Sequence, residues 1–165
     1  MTMQELIKLI EQWAIDRGLD KNGTVEGQLI KTAEEVAELI IGISKDDIDV
    51  IKDSIGDVFV TLVIGNMFEK QISIDDFKEF SQGIKTATHG KIDAISELNH
   101  DLSSFYFIAR YGRGATRSIM LSLVRITNAY HLDFTDCVES AYKEIAGRKG
   151  RVIDGTFVKE SDLHE

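Results

Sequence analysis

The chain has no proline among its 165 residues and only one cysteine. At ordinary usage a chain this long carries roughly eight prolines. Their absence removes the commonest punctuation of strands and sandwich turns, and fits long uninterrupted helices. A lone cysteine, Cys137, excludes an internal disulfide, so nothing calls for an oxidising compartment. No run approaches the roughly 20 apolar residues of a membrane span. Glu5, Lys8 and Glu11 break every apolar stretch at the N-terminus, so no signal-peptide core is expected and a cytoplasmic location is. Neither a Gly-rich P-loop nor a dinucleotide fingerprint is present.

What is present is an apolar fraction of 43%, too high for a disordered chain and enough for one domain with a core. There are 28 acids against 19 bases, a net charge of −9. The charge is uneven: residues 83–151 hold ten Lys/Arg against seven Asp/Glu, and the rest of the chain holds nine against twenty-one. An acidic part beside a weakly basic one suits a metal on one side and a phosphate on the other; solvated helix faces produce the same imbalance. Arg110, Arg113, Arg117 and Arg125 surround Tyr106, Phe107 and Tyr111, but a net-acidic chain without a recognised motif is not expected to bind nucleic acid. His89, His100, His131 and His164 show no metal-ligand spacing, and Cys137 reads as a buried structural thiol.

Glycines and polar clusters divide the chain into helical units. The periodicity predicts helices over residues 3–17, 25–43, 46–70, 91–110, 115–130 and 135–146, with a break at 18–23 and a loop at 83–90. Ser73 reads as the N-cap of a further, shorter helix. Residues 151–158 form a small hairpin or pack as extended chain. The expected fold is therefore an all-α antiparallel bundle of about six or seven helices in a single domain. A weak internal echo at a shift of 62 to 65 residues puts Glu97 and His100 opposite Glu35 and Glu38, and Asn128 opposite Asn66. Tyr142-Lys143-Glu144 likewise answers Phe77-Lys78-Glu79, and Ile119 stands opposite Asp57, so a second copy would be degenerate.

The informative stretch is Lys31-Thr-Ala-Glu34-Glu35-Val-Ala-Glu38, followed by Asp53-Ser-Ile-Gly-Asp57. On the second helix Leu29, Ala33, Val36, Ala37 and Ile40 share one face, while Lys31, Glu35 and Glu38 share the other. By itself that is an ordinary solvated face. The third helix differs, because Asp53 and Asp57, spaced i, i+4, lie on one face. From Val58 to Ile64 that helix is apolar nearly all round and is expected to be buried, with Asp57 at its mouth. A carboxylate there costs several kcal/mol unless a cation or donors compensate it. With a turn near Lys45, Glu38 is seven residues before it and Asp53 eight after; Glu35 is ten before and Asp57 twelve after. Antiparallel helices would bring these acids to matching heights, where a hard divalent cation resolves their repulsion.

These residues resemble the MazG-like branch of the all-α nucleoside triphosphate pyrophosphohydrolases, whose members carry an EExxE…ExxD pattern. The resemblance covers residues 3–70 and 132–163, leaving 71–131 as an enlarged middle segment. It implies Mg²⁺-dependent cleavage between the α and β phosphates, to a nucleoside monophosphate and pyrophosphate, with Mn²⁺ as an alternative ion. It also implies Glu35, Glu38 and Asp57 as catalytic metal ligands. Where the pattern has its first ExxD acid this chain has Ser54, and Asp53, one residue earlier, is the expected substitute ligand. Lys143 and Arg148 match the family's phosphate-side Lys and Arg, and Lys31 is expected to act with them. Trp13, on the apolar face of the first helix, reads as core or as a stacking surface for a base. The expected partners are a nucleoside triphosphate or related nucleotide and a second copy of the chain in a homodimer; no membrane is expected. Ser54 and the enlarged middle segment leave open a helical bundle that binds a nucleotide or a protein without catalysis.

Overall fold

The computed structural model describes residues 1–69, 83–111 and 115–163. Helix α1, Met3–Asp16, opens on a capping box. In it the Glu5 N–H donates to Thr2 Oγ1 at 3.2 Å and the Thr2 N–H donates to Glu5 Oε2 at 2.7 Å. Gly18, left-handed at φ 72°, turns the chain into the four-residue α2, Leu19–Asn22, inside the stretch expected to be a simple break. Helix α3, Val25–Lys45, is capped by Thr24, and α4 spans Ile48–Glu69. Helices α5, Lys91–Tyr111, α6, Ala115–Ala129, and α7, Phe134–Ala146, follow. Strands β1, Gly150–Ile153, and β2, Thr156–Lys159, pair antiparallel and lead into a short 3₁₀ turn, Glu160–Asp162. Among the described residues the chain is thus mostly helical with one small two-stranded sheet. No helix among the described residues is long and apolar enough to cross a membrane.

The α3–α4 turn is tighter than the sequence implies. Asp46, expected to begin the second arm, instead caps α3 in the left-handed region at φ 55°. Its N–H donates to the Ile43 carbonyl at 3.3 Å, and the Asp47 N–H donates to the Gly42 carbonyl at 3.0 Å. Gly42 allows this closure, since a Cβ there would lie 2.9 Å from Val50 Cγ1.

Helix α3 is also rotated from its expected setting. Ala37 is exposed, whereas Gln28, Thr32, Leu39 and Ile43 are buried beside Leu29 and Val36. Thr32 goes inward because its hydroxyl finds partners there, donating to the Gln28 carbonyl at 3.0 Å and meeting Thr61 Oγ1 at 3.0 Å. A satisfied hydroxyl is cheap to bury, so polarity alone does not set the face. On α4 every residue from Val58 to Ile64 is buried, matching the expected all-round apolar run.

Helix α4 is the centre of the molecule, packed by α3, α7, α1 and α6. Gly56 sets the approach of α7: a Cβ there would stand 2.4 Å from the Cys137 carbonyl oxygen and 2.7 Å from Ala141 Cβ. Cys137 is fully buried, as expected of a structural thiol, and burial pushes its pKa up to about 11. Helices α5 and α6 pair with each other, α5 lying against α3 and α6 against α4. Within this second pair Glu97 meets Arg125 at 2.8 Å, Asp101 accepts from Ser122 Oγ at 2.5 Å, and Ile119 is fully buried. Ser73 and Phe77-Lys78-Glu79 lie outside the described residues, as do Arg113, His164 and the side chains of Tyr106, Phe107, Arg110 and Tyr111.

Candidate functional site

A cleft of about 280 Å³ opens between α3, α4, the end of α7 and strand β2. The α3–α4 hairpin supplies its acidic wall. Asp57, half-buried at the mouth of the apolar α4 segment, is pushed up to about 7 by burial and then by the charges of Glu35 and Asp53. Glu35, whose side chain is 15% exposed, is also raised, by burial first, with Glu38 and Glu34 adding to it and Lys31 opposing. Asp53 is raised by burial, then by Glu144 and Glu38, with Arg148 and Lys159 opposing. The hairpin therefore sets Asp57 in the field of Glu35 and Asp53 in that of Glu38. Lys31 bridges the α3 acids, paired with Glu34 and 3.3 Å from Glu35 Oε1.

Trp13 forms part of the opposite wall and is both core and cleft surface, at 7% exposure. Its indole N–H donates to the Ile145 carbonyl at 2.7 Å, which fixes the ring against the last turn of α7. Arg17 completes this join. Its guanidinium stacks 4.5 Å from the Trp13 ring centroid and donates to the Arg148 carbonyl at 2.6 and 3.0 Å and to the Ala146 carbonyl at 3.2 Å. The carbonyls at and just beyond the end of α7 are thus satisfied by Arg17, the C-cap of α1, and Arg148 emerges from a tethered backbone. Its own side chain pairs with Glu144 one turn back.

The third wall comes from the β-hairpin. Asp154 (φ 49°) and Gly155 (φ 81°) form a two-residue turn with both residues left-handed, the geometry an Asp-Gly pair favours. That turn seats on the start of α3, where the Thr24 N–H donates to the Gly155 carbonyl at 3.1 Å. Gly27 makes room, because a Cβ there would lie 2.5 Å from the same oxygen. Seated this way, β2 presents Thr156, Phe157, Val158 and Lys159 to the cleft. Phe157 meets Trp13 edge to face, with centroids 5.1 Å apart.

Of the residues expected from sequence, Trp13, Lys31, Glu35, Asp57 and Arg148 line the cleft. Glu38 and Asp53 stand on the exposed side of the acidic wall, outside the lining. Lys143 is not brought in: its side chain is 65% exposed and pairs at 2.6 Å with Glu139, which also takes the N-terminal ammonium at 2.8 Å. Spacing matched Lys143 to Arg148, but the helix turns the lysine toward the N-terminus of the chain. Ser54, at the position of the missing acid, is 3% exposed and packed in the bundle. The structure adds Gln28, Thr61 and Lys159 to the lining. Gln28 Nε2 donates to the Thr61 carbonyl at 3.1 Å and gives the cleft a polar floor. The Asp154-Gly155 pair signals a hairpin turn, but not where the hairpin docks, so nothing local in the sequence brings Lys159 to the cleft.

The donors in the acidic wall are carboxylate oxygens on facing helices, a set that suits a hard cation such as Mg²⁺ or Mn²⁺. Burial first, and the charges of Glu35 and Asp53 second, make the Asp57 carboxylate costly, and a bound cation would offset both. Among the described residues no three His, Cys, Asp or Glu side chains already stand around one point. Lys31 holds Glu35 in this arrangement, so the acids that would bind an ion are Glu35 and Asp57 at the cleft with Glu38 and Asp53 beside them.

Over 77 residues the chain is 52% identical to an uncharacterized 18.2 kDa protein encoded in the rep–hol intergenic region of Haemophilus phage HP1. That similarity spans 47% of this chain and 45% of the phage protein. No family model matches the chain, and no solved structure matches it.

Proposed function

We propose that this chain is a MazG-like, Mg²⁺-dependent nucleoside triphosphate pyrophosphohydrolase, cleaving between the α and β phosphates to release a nucleoside monophosphate and pyrophosphate. The observation that carries the reading is the meeting of Glu35 and Asp57 in one cleft with Trp13, Phe157, Arg148 and Lys159. Aromatic surface for a base, acids for a cation and cations for phosphates thus line a single space. The reading also rests on the resemblance of the Glu34-Glu35-x-x-Glu38…Asp57 pattern to that family.

Glu35, Asp57, Glu38 and Asp53 would hold the ion. When bound, it supplies positive charge that draws electrons from the α-phosphate and acidifies an attacking water. Trp13 and Phe157 offer ring edge and face to the base, while Gln28 offers polar atoms at the cleft floor. Glu35 takes the proton of the attacking water, whose oxygen bonds to the α-phosphorus as the bond to the bridging oxygen breaks. Arg148 and Lys31 neutralise the charge that gathers on the departing pyrophosphate. Burial and neighbouring acids favour a protonated carboxyl at Asp57, so ion binding and deprotonation are coupled there. A homodimer and a cytoplasmic location belong to this same reading.

One observation favours a second reading, in which the chain binds a nucleotide without hydrolysing it. Ser54, packed at 3% exposure, removes one carboxylate from the site. A panel of ordinary and modified nucleoside triphosphates with Mg²⁺, scored for pyrophosphate against phosphate, separates the two. Pyrophosphate release from at least one nucleotide supports the hydrolase; nucleotide binding without release decides for the second.

A further inference from the structure

We propose that Lys159 is the residue that receives the anionic end of the ligand in this cleft, and that the β-hairpin is the element that delivers it. The inference deepens the nucleotide reading above and rests on it. Three cationic side chains line the cleft, Lys31, Arg148 and Lys159. Two are already committed: Lys31 is paired with Glu34 and Glu35, and Arg148 with Glu144. Among the described residues Lys159 has no carboxylate within ion-pairing distance, although Asp162 also lines the cleft. A phosphate that meets Lys159 therefore gains a charge-assisted hydrogen bond without displacing a protein carboxylate. At Lys31 or Arg148 it must compete with one.

Position supports the assignment as much as charge does. Phe157 and Lys159 are two residues apart on β2 and so share a face, and Phe157 stands against Trp13. A ligand whose planar end lies on that aromatic pair has its charged end carried along the strand toward Lys159. The strand is held at both ends. Its turn is seated on Thr24 through the Gly155 carbonyl, and just beyond Lys159 the Glu160 N–H donates to the Lys149 carbonyl at 2.9 Å. Gly150, paired with Lys159 in the ladder, leaves room for the Phe157 ring, since a Cβ there would lie 2.6 Å from Phe157 Cζ. Lys159 lines the same cleft as Glu35 and Asp57 of the acidic wall. A di- or triphosphate is the anion of the right chemistry for a cation beside an acidic wall.

The test uses Trp13, the one tryptophan of the chain, whose fluorescence reports on the cleft. The full chain is titrated with inorganic tripolyphosphate in Mg²⁺, with isothermal calorimetry as a second readout, for wild type, K159M, K159R and K143M. Loss of one charge-assisted contact should weaken tripolyphosphate binding at least about tenfold in K159M. K159R should stay close to wild type, and K143M should not change. Wild-type affinity in K159M overturns the role of Lys159 while leaving the nucleotide reading intact. A wild-type chain that binds neither tripolyphosphate nor any nucleoside triphosphate overturns both.

Discussion

Asp57 faces Glu35 across the α3–α4 hairpin, and burial, followed by the charge of Glu35, pushes the Asp57 carboxyl up to about 7. Its ordinary value is 3.8. Because the folded value is the higher one, the folded chain holds the proton more tightly than the unfolded chain between those two values. Stability from this group is fully present below about 4 and is lost as pH rises through about 7. D57N removes the charge without the shape. It should unfold at higher urea than wild type at pH 8, by about 1–3 kcal/mol, and at nearly the same urea at pH 4. An equal gap at both pH values contradicts the shift.

The same proton competes with a cation. Mg²⁺ should raise the thermal midpoint of wild type by a few degrees at pH 8 and by less at pH 6. D57N and E35Q should lose most of that rise, while K143M keeps it. Differential scanning fluorimetry with and without Mg²⁺ reads this directly, and a rise that survives in D57N speaks against Asp57 as a ligand.

Gly56 is the contact that seats α7 beside the acids. In G56A the new methyl would stand 2.4 Å from the Cys137 carbonyl oxygen, and backbone must move to admit it. We expect a loss of about 2 kcal/mol or more in urea unfolding. G147A, where a Cβ meets nothing within 4 Å, should change stability little.

Gly155 holds the hairpin on α3. Its left-handed backbone and the Thr24 side chain, 2.2 Å from a would-be Cβ, leave no place for a side chain. G155V should free the hairpin and wet Trp13, seen as a red-shifted and more readily quenched emission with helical content kept. An unchanged emission spectrum would mean that the hairpin does not shield the ring.

The parts of this fold that could be read in the sequence rest on local periodicity. The apolar run from Val58 to Ile64 is buried all round, and counting outward from Lys45 pairs Glu35 with Asp57 and Glu38 with Asp53, in each of which the α3 charge raises the α4 acid. The face of α3 was harder, because Thr32 and Gln28 look like surface residues until Thr61 is placed opposite them. Lys143 was misplaced for a related reason. Spacing along a helix gives rotation about its own axis, but not which neighbour each side meets. Lys159 comes from a strand whose position depends on Gly155 meeting Thr24, a contact 131 residues apart in the chain. No local pattern carries that information.

In the proposed mechanism the acids of the α3–α4 hairpin make this cleft a hydrolytic site. Mg²⁺-dependent pyrophosphate release by wild type, D57N and E38Q, with circular dichroism as the check on folding, decides whether they do. Wild type should turn over at least one nucleoside triphosphate, and both variants should lose that turnover with helicity unchanged. Wild-type rates in folded D57N would contradict it.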